Sequence, residues 1–464
     1  MTQNRLTRRS FLKFAGGTVA IGALAACVPA TTAPAGDGGA APAAEAGSLW
    51  VLHKQDYHPE YNDFIRAQIV DYAEANNLEL EVAFTAGFEG TGADVQKVAA
   101  AVQAGDPPDV WIDNLSPVKL DQLGLIEDVT DIQEQVIEMY GEPAPLPKKL
   151  NYRDGKYVCV ILHTRGDGGW ARTDVFEPAG IDVSTLKTYD ELREACLEVS
   201  DPDNEMWGWG IPVSRNGDGS WMVNRVIHGW GATYTDETGE FVTLDSPEAV
   251  DAVNWMVETW SDPKWEAMLP PGIASWTGAS NNDSYLGGIV AYTQNAGTVY
   301  AKAVTDGLEI ADVTVYDFPK GGPVVEEFMG MGGMYMHMIK GAKNAAAVPD
   351  LFLSFFEQEK MEEMFETGIS YTLPAYEPQW EWDVITRYPI NDNMKAAALH
   401  PTAWNAAAWP GPDTAQAGAI NSNNIGTDMV ANVLSGQMTA AEAVKDAHDK
   451  LVVIWQEFGA PGVQ

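Results

Sequence analysis

The order of hydrophobic patterns between Leu49 and Asp113 limits the fold of this chain more than any other feature. Leu49-Trp50-Val51-Leu52-His53 is a short apolar run that reads as a strand. Phe64, Ile65, Ile69, Tyr72 and Ala73 follow at three-to-four spacing, the period of a helix with one apolar face. Leu78 to Phe84 alternates apolar and acidic residues as a second strand, Val95, Val98, Ala99 and Val102 mark a second helix, and Asp109-Val110-Trp111-Ile112 reads as a third strand. Strands alternating with helices predict an α/β sheet whose ligand edge lies at the strand carboxyl ends. The loops Gln55–Tyr61, Ala86–Thr91 and Asp113–Ser116 are expected on that edge. Further helices are expected at Tyr189–Val199 and Ser246–Trp260, introduced by the capping candidates Thr188 and Ser246, and at Ala345–Phe365 and Ala440–Phe458.

The segment ahead of this body reads as an address. Thr7-Arg8-Arg9-Ser10-Phe11-Leu12-Lys13 precedes an apolar stretch from Phe14 to Ala26, the pattern of a twin-arginine signal peptide. The stretch is about thirteen residues long, short of the roughly twenty that a membrane-spanning helix needs. Leu24-Ala25-Ala26-Cys27 ends it in the manner of a lipobox, with Cys27 as the lipidated residue. An uncleaved membrane helix with a chance cysteine is the alternative, and the short run weighs against it. From Val28 to Gly47 the chain runs through repeated Ala, Pro, Thr and Gly without periodicity, a flexible tether unable to bury a core. The expected location is therefore the outer face of the cytoplasmic membrane, held there through a lipid only.

Removing residues 1–27 takes away Arg5, Arg8, Arg9 and Lys13 and no acidic residue, so a formal charge of −38 becomes −42. Phosphate recognition needs clustered Lys and Arg, and nucleic acid is excluded as a partner. The acidity is read as a solubility feature, because no Asp-x-Asp-x-Asp-Gly loop argues for calcium. No other metal site and no cofactor is expected. The roughly 420 residues beyond the tether exceed what one hydrophobic core serves, which predicts two lobes. Cys159 and Cys196 could form one disulfide in an oxidising compartment, but an isolated pair is no framework.

At the level of short motifs, Gln103-Ala104-Gly105-Asp106-Pro107-Pro108-Asp109-Val110 closes a helix and opens a strand, and Gly124-Leu125-Ile126-Glu127-Asp128-Val129 follows. Asp154-Gly155-Lys156-Tyr157, then Trp170 to Ile181, then Lys187-Thr188-Tyr189-Asp190-Glu191-Leu192 form a second block. Gly287–Tyr292, Lys340–Asn344 and Ser435-Gly436-Gln437 ahead of Ala441-Glu442-Ala443 are weaker pieces in the same order. In these residues the chain resembles the extracellular solute-binding proteins of ABC importers, in the sugar-binding, maltose-binding-protein-like cluster, over nearly all of the body. The resemblance implies a two-lobe periplasmic-binding-protein-like (type II) fold with an interlobe cleft and hinge closure. The lobes are expected at 48–158 plus 325–375 and at 159–324 plus 376–464. It also implies a monomer that delivers a small molecule to the permease subunits of an ABC transporter. Two departures fall where ligand contacts are expected: Tyr157-Val158-Cys159-Val160 replaces a common Tyr-Gly-Val-Pro, and Thr298 stands where an aromatic is common.

Apart from that resemblance, the 16 Trp and 16 Tyr suit a ligand with apolar faces bordered by hydroxyls, which flat rings and Asp, Asn or Arg side chains hold together. Trp170, Trp209, Trp221, Trp230, Trp276, Trp404 and Trp409 lie in or beside loops rich in Gly, Asn, Asp or Pro, whereas Trp255, Trp260 and Trp455 sit in helical patterns that favour core packing. Asp56, Tyr57, Glu89, Asp113 and Asn114 belong to the sheet-edge loops, where a capping role competes with a ligand role. Arg165 and Asp167 could meet hydroxyls or form a local ion pair. Tyr292 and Asn295, with Asn281, Asn282 and Asp283, complete the candidate set. The expectation is a carbohydrate or polyol receptor that is not an enzyme, with no catalytic residue assigned. The alternatives are a cationic solute in an aromatic cage, a secreted glycoside-cleaving enzyme and a purely structural surface lipoprotein. No nucleophile elbow or zinc-ligand pair supports an enzyme.

Overall fold

The structure, a computed structural model, describes residues 47–85, 93–165, 167–326, 332–400 and 406–464. The leader, Cys27, residues 28–46 of the tether and the loop Ala86–Thr91 lie outside the described residues.

Among the described residues ten strands form two sheets, and two more form a small hairpin. β1 (Ser48–Lys54) pairs in parallel with both β2 (Glu79–Thr85) and β3 (Val110–Asp113). Helices Pro59–Ala75 and Ala93–Ala104 make the two crossovers, and Phe64, Ile65 and Ile69 of the first bury the predicted apolar face. β4 (Tyr152–Arg153) and β5 (Lys156–Tyr157) are joined by Asp154-Gly155, both at positive φ (50° and 82°), which suits a tight hairpin turn. The following strands are β6 (Val160–Arg165), β7 (Asp167–Arg172), β8 (Trp207–Gly210), β9 (Val290–Ala296), β10 (Thr314–Asp317), β11 (Gly333–Met338) and β12 (Thr372–Leu373). The first sheet runs β12-β6-β11-β3-β1-β2 and the second β10-β7-β9-β8.

Sheet membership divides the chain into two lobes and corrects one expected boundary. β6 pairs antiparallel with β11 and β12, so Val160–Arg165 belongs to the first lobe, and the crossing falls between Arg165 and Asp167 instead of at 158/159. The reason is pairing: Val160, Ile161 and Leu162 are fully buried in the first sheet, and an apolar run alone does not say which sheet claims it. The chain recrosses between Asp317 and Gly333, and again after Leu373.

The second lobe carries the larger helical layer. Tyr189–Val199 begins with a full capping box, Thr188 receiving Glu191 N–H while the Glu191 side chain receives the Thr188 N–H. Ser246 caps Pro247–Ser261, and Thr439 with Glu442 forms a second box on Ala440–Glu457. One long helix expected at Ala345–Phe365 is two, Val348–Ser354 and Gln358–Gly368, because the helix ends at Ser354 and restarts past Phe355-Phe356-Glu357, whose two phenylalanines are buried. Cys159 and Cys196 are both free and buried, and burial raises both thiols well above the ordinary range.

Candidate functional site

A cavity of about 310 Å³ opens between the two sheets. Among the described residues the first lobe supplies Lys54, Asp56, Tyr57, Asn114 and Arg165, and the second supplies Asp167, Gly217, Asp218, Trp221, Gly278, Asn282, Gln294, Asn295, Ala296 and Thr298. Lys54 and Arg165 end β1 and β6, Asn114 follows β3, and Asp167 begins β7. The cavity thus sits at the carboxyl edge of the parallel strands and across the first crossing, where strand topology leaves a crevice.

Its floor is a line of alternating charges. Lys54 Nζ lies 2.7 Å from Asp56 Oδ2, both side chains nearly buried. Arg165 Nε donates to Asp167 Oδ1 at 3.2 Å. The loop carrying Asp56 is pinned by Asn62, whose amide oxygen accepts the Asp56 N–H and whose amide nitrogen donates to the Asp56 carbonyl, both at 2.8 Å. Tyr371 O–H donates to Asp56 Oδ2. Burial opposes ionisation of Asp56, but Lys54, Arg165 and these hydrogen bonds outweigh it and hold the carboxyl below its usual range. Behind it, Tyr61 and Tyr371 pack edge-on at 5.4 Å, and Tyr61 O–H meets His163 Nε2 at 2.8 Å. Burial lowers His163 to about 4, so the imidazole is neutral at pH 7.

One aromatic face completes the wall. Asn216 caps helix Gly217–Gly229 by accepting the Gly219 N–H at 2.7 Å, which sets Trp221 in the second turn facing the cavity. The buried guanidinium of Arg225, one turn on, lies 4.7 Å from the Trp221 ring and supports it from behind. Gln294 is held in turn: Trp209 Nε1 donates to its oxygen at 3.3 Å, and its amide donates to Tyr189 O–H at 3.1 Å. Arg165 is also tied to Asn114, whose amide, turned to satisfy both neighbours, accepts from Arg165 Nη1 at 2.7 Å and donates to Asp113 at 3.1 Å.

Of the candidates read from the sequence, the structure brings Asp56, Tyr57, Asn114, Arg165, Asp167, Trp221, Asn282 and Asn295 to one cavity. Others lie elsewhere. Trp170, on β7, is fully buried, stacked on Tyr300 at 6.1 Å, with its indole N–H on the Asn295 carbonyl. Trp209 is buried in the second lobe's core against Tyr189, Trp255 and Trp260. Tyr292 is also core: its ring fills the space over Gly169, and its O–H donates to Asp317. On β7, β8 and β9 these three rings are turned into packing layers, which a strand of mixed composition does not announce. Trp276 is half-buried between the two apolar clusters, and its neighbour Gly278 faces the cavity instead. Trp409 packs edge-on against His228 at 5.2 Å and is not among the lining residues. Asp113 lies beneath Asn114, where burial pushes its carboxyl up to about 6 against the opposing pull of Lys54 and two backbone N–H groups. Glu89 and Trp404 lie outside the described residues.

The sequence reading misses Lys54, Asp218 and Gln294, and names Thr298 only as a departure from the resemblance. Lys54 stands one residue before the predicted edge loop, and Gln294 and Thr298 flank the candidate Asn295. Asp218 lies in the glycine-rich run before Trp221, a helix-start signal that could have found it.

With known proteins the likeness is broad in shape and thin in sequence. A family model described as bacterial extracellular solute-binding protein matches residues 67–389. A maltotriose-binding protein of Pyrococcus abyssi is 24% identical over 173 residues, 37% of this chain and 34% of that protein. The aligned part thus spans about a third of the length of that relative. Maltose-bound MalE3 of T. maritima superposes with a TM-score of 0.73 at 18% identity, covering 88% of this chain and 100% of that one. A sugar transporter component of Arthrobacter chlorophenolicus A6 with bound laminaribiose gives 0.72 at 18% identity over 87% and 98%. A solute-binding protein of Agrobacterium vitis S4 with bound D-mannitol gives 0.71 at 16% identity over 90% and 100%.

Proposed function

From the premise that this chain belongs to the bacterial extracellular solute-binding family, with its type II two-lobe fold, we propose that it is the lipid-anchored receptor of an ABC importer, taking a carbohydrate or polyol in the interlobe cavity. The observation that carries this reading is the lining itself. One indole face stands opposite a set of carboxylate, amide and guanidinium groups, the chemistry that a ring with an apolar face and a hydroxyl rim demands. The similar proteins with bound maltose, laminaribiose and D-mannitol support the ligand class. A volume of about 310 Å³ stands at the low end of the ~300–1,000 Å³ typical of ligand pockets, and among the described residues one Trp, Trp221, lines the wall. A short ligand, a monosaccharide, disaccharide or linear polyol, fits that space better than a long oligosaccharide.

The same lining argues against the alternatives. A glycoside-cleaving site needs a carboxyl kept protonated beside the scissile bond. Asp56 is instead held ionised by Lys54 and Arg165, and Asp167 is paired with Arg165. A cage for a quaternary amine needs several converging rings, whereas this cavity has Trp221 and Tyr57 and two cations on its floor. Lipidation at Cys27 and export by the twin-arginine leader rest on the sequence motifs Arg8-Arg9 and Leu24–Cys27.

Thermal unfolding against a panel of sugars, polyols and quaternary amines tests the reading, with each hit recovered and analysed. A ligand at 100 times its dissociation constant should add about 2.7 kcal/mol of stability. A stabilising sugar recovered intact supports a receptor. A cleaved sugar contradicts it, and stabilisation by amines alone moves the ligand class.

A further inference from the structure

We infer that Asp283 is a closure latch: it takes no part in lining the cavity, yet its carboxylate receives the Tyr57 hydroxyl across the mouth of the cleft and holds the two lobes shut. This rests on the reading of the cleft as a solute site. Tyr57 follows β1 in the first lobe, and its half-buried ring forms part of the cavity wall. Asp283 stands on helix Ser280–Leu286, which packs against β9 of the second lobe, and is solvent-exposed. The two residues are 226 positions apart in the chain, and Tyr57 O–H donates to Asp283 Oδ1 at 2.5 Å.

The partners on either side make this contact a reporter of closure. Tyr57 N–H is held by Asp56 Oδ1 at 2.9 Å, so the ring is anchored to the charged floor that would grip a solute. Asn282, next to Asp283, lines the cavity and accepts from the Asn295 amide. The latch therefore joins two residues whose immediate neighbours, Asp56 and Asn282, both line the cavity. A solute that orders Asp56 and Asn282 also aligns Tyr57 with Asp283, and separating the lobes breaks that hydrogen bond. Asp283 is thus a positioning residue, acting on the solute through the Tyr57 ring. The lobes touch separately where Ser116 O–H donates to Asp413 and Gln122 accepts the Ala415 N–H at 2.6 Å. The latch tunes closure and is not the sole contact between the lobes.

The test is a double-mutant cycle read by interlobe distance. The full chain carries Cys27→Ser and spin labels at Asp131→Cys in the first lobe and Glu248→Cys in the second. Both sites are exposed, whereas Cys159 and Cys196 are buried. Distances are measured with and without D-mannitol or maltose in the parent, Tyr57→Phe, Asp283→Ala and the double variant. Each single variant should lower the closed-to-open ratio about fivefold, equivalent to about 1 kcal/mol for a hydrogen bond to a charged group at an exposed site. The double variant should go no further, and Asp283→Asn, which keeps an acceptor, should recover part of the loss. Melting temperatures should stay with the parent, which separates latching from folding. Where the probe binds, its dissociation should quicken by the same factor. Identical distance distributions in all four proteins, with and without probe, overturn the latch, as do additive effects of the two substitutions. If neither probe binds, the ligand class is at fault, and the probe-free distances still decide for or against the latch.

Discussion

At the scale of single residues, burial separates the tryptophans that hold the fold from Trp221, which lines the cavity. Trp221→Ala should weaken binding of the best sugar by about 2 kcal/mol, roughly thirtyfold, as loss of a central aromatic contact does, with little change in unfolding free energy. Calorimetric titration beside urea unfolding would check both halves. Trp209→Ala should do the reverse, costing about 3–5 kcal/mol of stability, because a fully buried indole is replaced by a void. Asp113 offers a pH test. Its folded carboxyl titrates at about 6 instead of the ordinary 3.8, so the folded state favours the protonated form. The stability tied to that form is fully present below the unfolded value and is lost as pH rises from about 4 through 6, on the order of 2–3 kcal/mol in all. Asp113→Asn, which keeps an acceptor for the Leu115 N–H, should remove this fall. Urea unfolding at pH 4.5 and 7 should therefore show the variant gaining on the parent at the higher pH. Equal gains at both values would contradict the assignment.

Among the elements, β7 shows why the fold was more legible than the site. Gly168 and Gly169 stand where a Cβ would lie 2.3 Å from the Tyr316 ring and 1.9 Å from the Tyr292 hydroxyl. Two bulky rings are packed through the absence of two side chains. Gly169→Ala should cost about 1–3 kcal/mol by overpacking, measured as a lower urea midpoint with unchanged slope. A neutral outcome would mean that Tyr292 moves freely, against its hydrogen bond to Asp317. The elements themselves were written in period and caps: β1 to β3, the two crossover helices and the Thr188 and Thr439 boxes follow from local pattern. What local pattern lacks is the sheet to which a buried run belongs, and pairing with β11 and β12 is what puts Val160–Arg165 in the first lobe. For the same reason Trp170, Trp209 and Tyr292 looked available. The choice between the two faces of a strand is made by tertiary packing. The edge loops Gln55–Tyr61 and Asp113–Ser116 were found because strand carboxyl ends are a topological feature, and topology was legible.

On the scale of the whole molecule, the two sheets meet at a crossing that is also part of the cavity floor. Arg165 ends one sheet, Asp167 begins the other, and Gly332 at the second crossing accepts the Arg165 N–H at 2.8 Å and donates its own N–H to Asp167 at 3.3 Å. A solute bound to this ion pair touches the hinge itself, which ties occupancy to lobe orientation without a separate relay. The measurement that bears most directly on this account is a crystal structure of the protein with the sugar or polyol that stabilises it most. The account predicts an intact ligand between the lobes, with one face on Trp221 and hydroxyls on Asp56, Arg165, Asp167 and Asn295, and with Tyr57 against Asp283. A ligand bound outside this cavity, or a cleaved product within it, would contradict it.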